Sequence, residues 1–237
     1  MKLRKIGLVQ KSSTAVVVIG LALCVATSPA VAAPVITDWS TSYSTGSTGS
    51  ASGDLGGVSV TFSGDVRGVY QNHGSVFDNG GYGGQTVFTP SLDVSDAVVT
   101  HGAPGVTNTI TFGSAVLNPI IWINSLGRGG GWDLATYVQS WTFDSSFSLL
   151  SSWYAELEPP NPYKMTQSGN TLIGQEGHGA IQFAGSYTSI SWTSDKLEGS
   201  AFFQVGYDNS IVPVPAPASL LLFALGLVGL MARKSQG

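Results

Sequence analysis

The sequence predicts an all-β protein: an antiparallel two-sheet sandwich of jelly-roll type, with one apolar segment near each end of the chain. Three observations carry that prediction. Residues 33–211 are rich in Gly, Ser, Thr, Val and aromatic side chains. Short β-branched and aromatic runs recur there, each bounded by Gly, Asn, Asp or Pro, which is how strands joined by tight turns are written. No stretch before Val212 carries the 3.6-residue apolar repeat of an amphipathic helix. About 180 residues suffice for one domain that buries roughly 70% of its unfolded surface, and about ten to twelve strands at this spacing fit a sandwich.

Taken in order, residues 40–57 are Ser/Thr/Gly-rich, with Leu55 the one aliphatic side chain larger than alanine. They read as an exposed flexible start or an edge strand. Residues 58–62 (VSVTF) alternate, placing Val58, Val60 and Phe62 on one face, and residues 109–112 do the same through Ile110 and Phe112. Residues 120–123 (IIWI) are apolar on both faces and predict a central strand. Residues 133–139 come nearest to a helix, but Thr136, Tyr137 and Val138 suit a strand better. Residues 140–143 and 147–150 flank a tight turn at Asp144, Ser145 and Ser146, and residues 180–183, 189–192 and 201–205 close the series. Residues 158–162 (EPPNP) form a rigid loop, because closely spaced prolines cannot donate to a sheet ladder. Residues 78–84 and 127–131 are Gly-dense loops.

At the N-terminus, Lys2, Arg4, Lys5 and Lys11 precede an apolar stretch at residues 15–26 and then small residues around Ala30 and Ala32. This is the layout of a secretory signal peptide over residues 1–32, cut after Ala32. The single cysteine, Cys24, lies inside the apolar stretch and leaves with it. The exported domain, residues 33–211, therefore depends on a hydrophobic core and not on disulfides. Four basic residues (Arg67, Arg128, Lys164, Lys196) face all fourteen acidic ones in the exported part, a net charge of −10. Such a surface repels nucleic acid and anionic headgroups, so no nucleic-acid partner is expected.

The C-terminus, residues 212–237, carries three devices in fixed order. Val212, Pro213, Val214, Pro215, Ala216 and Pro217 hold the chain extended. Residues 218–232 are an unbroken apolar run of 15 residues, about 22 Å long as a helix and shorter than the roughly 20 residues of a comfortable bilayer span. Arg233 and Lys234 then supply a basic stop that stays on the cytoplasmic side. This order resembles the PEP-CTERM sorting signal, with Val214, Pro215, Ala216 and Pro217 as the junction motif and Ala216 where the family usually has Glu. The resemblance implies recognition by exosortase, a membrane protease-transpeptidase, and a transient stay in the inner membrane. It also implies release or transfer at the cell surface, in an exopolysaccharide or biofilm setting and in a structural or adhesive role.

Glu156 and Glu158 share a strand face at about 6.5–7 Å, a spacing open to glycosidase chemistry. Pro159 and Pro160 follow at once, with Asn161 where a third acid would stand, so a solvated loop entrance is the better reading. His73, His101 and His178 form no metal motif and read as loop residues; Glu176 and His178 share a face but do not complete a zinc site. There is no GxSxG elbow and no P-loop ending. The expectation is a non-enzymatic protein without a cofactor. Asp78, Asp93 and Asp96 leave room for a structural Ca2+ that no particular residues can be assigned. Of the six tryptophans, Trp122, Trp141 and Trp192 are expected in the core. Trp132 and Tyr82, both in Gly-rich loops, are the aromatics that would stack on sugar rings if the domain binds extracellular polysaccharide.

Overall fold

A computed structural model describes residues 33–71, 76–77, 87–90, 92, 96–127, 137–154 and 164–209. In chain order its strands are β1 (Val35–Ile36), β2 (Asp38–Ser44), β3 (Gly46–Leu55), β4 (Val58–Val66), β5 (Gly68–Tyr70), β6 (Ala97–Thr100), β7 (Thr107–Leu117), β8 (Pro119–Leu126), β9 (Gln139–Phe143), β10 (Ser148–Tyr154), β11 (Thr166–Ser168), β12 (Thr171–Gly174), β13 (Gly177–Gln182), β14 (Ser186–Ser194) and β15 (Ala201–Tyr207). They form two antiparallel sheets. One has the order β10-β13-β8-β15-β6-β5, with β1 also paired to β15; the other has the order β11-β12-β9-β14-β7-β4-β3-β2. From β6 onward the chain passes back and forth between the sheets, so neighbours in space are seldom neighbours in sequence. The protein is all-β, as its turn-punctuated β-branched runs predict. Among the described residues no helix is long and apolar enough to cross a membrane.

Alternation builds the inner core. Val60 and Phe62 of β4, Ile110 and Phe112 of β7, and Ile190 and Trp192 of β14 point inward from the eight-stranded sheet. Ile121 and Ile123 of β8 and Phe203 and Val205 of β15 meet them from the other sheet. Trp192 lies between two near-parallel rings, Phe62 at 5.6 Å and Trp141 at 5.3 Å. Phe203 presents its edge to Trp39, Phe62, Trp141 and Trp192 at centroid distances of 4.9–6.5 Å, the T-shaped geometry that ring quadrupoles favour.

The seven-stranded sheet is covered on its outer face as well. Ile120 and Trp122 project away from the inner core and join Phe77, Val87, Phe88 and Leu92 from the connection between β5 and β6. The Trp122 indole N–H donates to the Pro90 carbonyl at 2.9 Å, and the Asn124 amide donates to the Val76 carbonyl. This second layer explains why all of β8 is buried, as its two-sided apolar sequence requires.

Some elements differ from expectation. Residues 40–57 are ordered strands, most of β2 and all of β3, at the edge of the eight-stranded sheet. They take the edge-strand form, and Trp39, Ala51 and Leu55 anchor this hairpin in the core. Residues 144–146 do not close a hairpin: β9 and β10 belong to different sheets, so the turn carries the chain across the sandwich. Strand β9 begins at Gln139, so Tyr137 and Val138 precede it. His178 is not a loop residue; it sits within β13 at 2% exposure. Residues 1–32, 78–84, 128–136, 155–163 and 210–237 lie outside the described residues.

Candidate functional site

Strand direction sorts the connections to two poles of the sandwich. At one pole β1 pairs with the end of β15, Val35 opposite Tyr207 and Ile36 opposite Gly206. The backbones come so close that a Cβ at Gly206 would meet the Val35 carbonyl oxygen. The described sandwich therefore starts and finishes at one place. The β7–β8 turn is beside it, held by Asn118, whose N–H donates to the Gly185 carbonyl at 2.7 Å and whose side-chain oxygen accepts from the Gly185 N–H at 2.8 Å. A groove of about 330 Å3 opens here between the start of β4, the end of β7 and the end of β15. Asp208 and Asn209 form part of its wall. Leu117 at its rim is 66% exposed.

The opposite pole is polar and tightly bonded. Asp65, at the end of β4, is fully buried. One of its oxygens accepts from the His101 N–H (2.9 Å), the Ala103 N–H (3.2 Å) and the Thr100 hydroxyl (3.3 Å). The other lies 3.3 Å from Arg67 Nε. Burial, then the Arg67 charge, lowers the His101 pKa below its ordinary value, while Asp65 pulls the other way. Ser125, at the end of β8, gathers two of the sequence candidates. Its hydroxyl donates to Glu176 at 2.8 Å and its N–H donates to His178 Nδ1 at 3.1 Å. Glu198 accepts from the Gly127 N–H at 2.5 Å and donates its own N–H to the His101 carbonyl at 2.8 Å. Burial, with Glu198 and Asp195 nearby, raises the Tyr137 pKa, and Lys196 Nζ stands 5.4 Å above the Tyr137 ring.

The chemistry open to this network can be read from its donors. Hydrolysis by a serine needs the hydroxyl proton to pass to a histidine nitrogen. Here the Ser125 hydroxyl donates a hydrogen bond to the Glu176 carboxylate, and His178 Nδ1 accepts from the Ser125 backbone N–H. Ser125 and Glu176 both hold left-handed backbone, at φ 65° and 47°. The arrangement locks the end of β8 to the start of β13 and to the β14–β15 loop. Sequence reasoning placed Glu176 and His178 side by side but missed Ser125 and Glu198, which only the pairing of β8 with β13 and β15 brings near them. Among the described residues no three His, Cys, Asp or Glu side chains are grouped as a metal site.

A shallow depression of about 500 Å3 lies along β2 and β3, lined by Asp38, Ser40, Thr41, Ser52, Asp54 and Gln71 among others. Asp38 and Asp54 face each other across the two strands. Asp54 also caps the following turn, accepting from the Gly57 N–H at 2.9 Å. Trp39 contributes to the lining but is fully buried, its indole N–H donating to Gln204 at 2.8 Å.

Of the remaining sequence candidates, Asp96 accepts from the Gln204 side chain through its carbonyl. Trp132, Tyr82, Glu156, Glu158, His73, Asp78 and Asp93 lie outside the described residues, as do Ala30, Ala32, Val214, Pro215, Ala216, Pro217, Arg233 and Lys234. Comparison with known proteins bears on the last six of these. Residues 213–235 match the family model described as the PEP-CTERM protein-sorting motif. No curated protein and no solved structure matches the chain. The motif begins six residues after β15 ends. The chain therefore carries a PEP-CTERM sorting motif, which supports a secreted protein sorted through the membrane enzyme exosortase.

Proposed function

We propose that this is a non-enzymatic surface or matrix protein, structural or adhesive in an exopolysaccharide or biofilm setting, delivered by its leader and held briefly by its tail. The observation that carries the reading is the sorting motif at residues 213–235 on a self-contained sandwich. The strand orders β6-β15-β8-β13 and β7-β14-β9-β12 are the pattern of a jelly roll, two Greek keys folded on one another.

The sorting step is topological. On this reading the apolar run of residues 218–232 is the segment that enters the membrane, and the charges of Arg233 and Lys234 keep the end of the chain inside. Pro215 and Pro217 present extended backbone to the protease, whose cleft can pair with its free amide groups. Eight residues lie between Asn209 and Ala218, so on this reading the domain stays within about 32 Å of the membrane until it is cut. Replacing Pro215 and Pro217 should leave the full-length form at the membrane. Loss of the tail at the wild-type rate in cells that possess exosortase would overturn the assignment, and the intact mass of the released form reads both cut sites, including the one after Ala32.

A second reading, a carbohydrate-binding module, is favoured by the polar depression along β2 and β3, whose hydroxyls and carboxylates suit polyol recognition. Binding to extracellular polysaccharide that is lost with Trp132→Ala, Tyr82→Ala or Asp38→Asn would favour it. A glycosidase reading stands on Glu156 and Glu158 alone, and activity that survives Glu156→Gln with Glu158→Gln would end it.

A further inference from the structure

The groove at the terminal pole has an apolar floor and a chain running out of its wall. Val58, Val116, Leu117 and Tyr207 line it together with Ala115 and Asn209. Val58 and Tyr207 are half-buried, and Leu117 is among the few large apolar side chains left exposed on the described surface. An exposed apolar patch on a domain with ten excess negative charges calls for a cover. The next residues of the chain are Ser210, Ile211, Val212, Pro213 and Val214, so three aliphatic side chains start within two residues of the groove wall. At most about 18 Å of extended chain separates Val214 from Asn209, so these side chains stay within reach of the groove.

The geometry points to intramolecular docking: the groove formed by Val58, Val116, Leu117 and Tyr207 holds Ile211, Val212 and Val214 of the chain's own stalk. Two features favour this occupant over another. A tethered segment of this length meets the groove at an effective concentration on the order of millimolar, so weak intrinsic affinity is enough. Proline-interleaved backbone is already extended and loses little freedom on docking. Docking fixes where the stalk leaves the domain and leaves Pro215, Ala216 and Pro217 as the first free residues. It does not depend on which enzyme later cuts the stalk.

The absence of cysteine after residue 24 makes the test direct. Full-length chain carrying Cys24→Ser is purified in detergent from cells lacking exosortase. Leu117→Cys is paired with Val214→Cys, and a same-pole control pairs Ser186→Cys, exposed and directly opposite Leu117 on β14, with the same Val214→Cys. Docking predicts that the Leu117 pair oxidises at least about tenfold faster than the Ser186 pair. It also predicts that adding Ala115→Trp, which fills the groove, removes the difference. Equal rates for the two pairs, or a preference untouched by Ala115→Trp, overturn the inference. Disulfides between two chains through Leu117→Cys alone would assign the groove to a second copy and overturn it too. So would protection of that thiol from a water-soluble maleimide in lipid vesicles but not in detergent, which would assign the groove to lipid.

Discussion

Gln204 shows what one buried amide can hold together. It is fully buried on β15 and uses its full hydrogen-bonding capacity. Its oxygen accepts from the Trp39 indole and the Val205 N–H, both at 2.8 Å. Its nitrogen donates to the Thr37 and Asp96 carbonyls, both at 2.9 Å. Strand β2, the link between β1 and β2, and the residue before β6 are therefore tied to β15 by one side chain, and nothing apolar can replace it. Gln204→Met keeps the volume but strands the Trp39 N–H and two carbonyls, so it should cost about 3–5 kcal/mol, read as a lower urea midpoint at unchanged m-value. His101 gives the matching statement about pH. Its pKa is lowered in the folded protein, so the neutral form is favoured there. The associated stability is full above its ordinary value of 6.5 and is lost as pH falls through the lowered value. His101→Gln removes that titration, and the fall in stability as pH drops below 6.5 should become shallower than in wild type. Identical slopes would show that His101 titrates alike in both states.

At the scale of elements, β8 determines how the sheets are layered. Ile121 and Ile123 serve the inner core while Ile120 and Trp122 serve the outer cluster, so one strand joins two hydrophobic bodies. Trp122→Ala should cost about 3–5 kcal/mol and loosen the outer layer first. The check is amide exchange, which should rise around Phe77 and Phe88 before it rises in β7 or β14; uniform loss of protection would contradict it. The double role of β8 was legible in the sequence because four consecutive apolar residues leave no polar face. The layer that covers it was not, since Phe77, Val87, Phe88 and Leu92 are scattered among glycines and polar residues with no period. Strands β2 and β3 were half legible. Their Ser/Thr/Gly composition hides the alternation, and only Trp39, Ala51 and Leu55 show which face turns inward. The pole network had a partial signal in the Glu176/His178 spacing. Ser125 stands about fifty residues earlier in sequence and reaches them only through β8–β13 pairing.

For the whole molecule, the informative fact is that the domain opens and closes at one pole. Strand β1 pairs with β15 at Val35–Tyr207, while the loops around His101, Gly127 and Glu198 gather at the other pole. The same closure means that chain order is not what holds the sandwich together. Joining Asn209 to Ala33 through a short Gly/Ser linker and opening the chain between Pro104 and Gly105 moves both ends to the opposite pole without cutting a strand. Gly105 lies in a turn where an added side chain would meet open space, so the new ends have room. The permutant of residues 33–209 should keep its unfolding free energy within about 2 kcal/mol of the uncut domain. Reductant should leave its midpoint unchanged, because this stretch contains no cysteine. If the permutant fails to fold while the linear domain folds, the β1–β15 closure depends on chain order, and the shared pole would not be a property of the folded body.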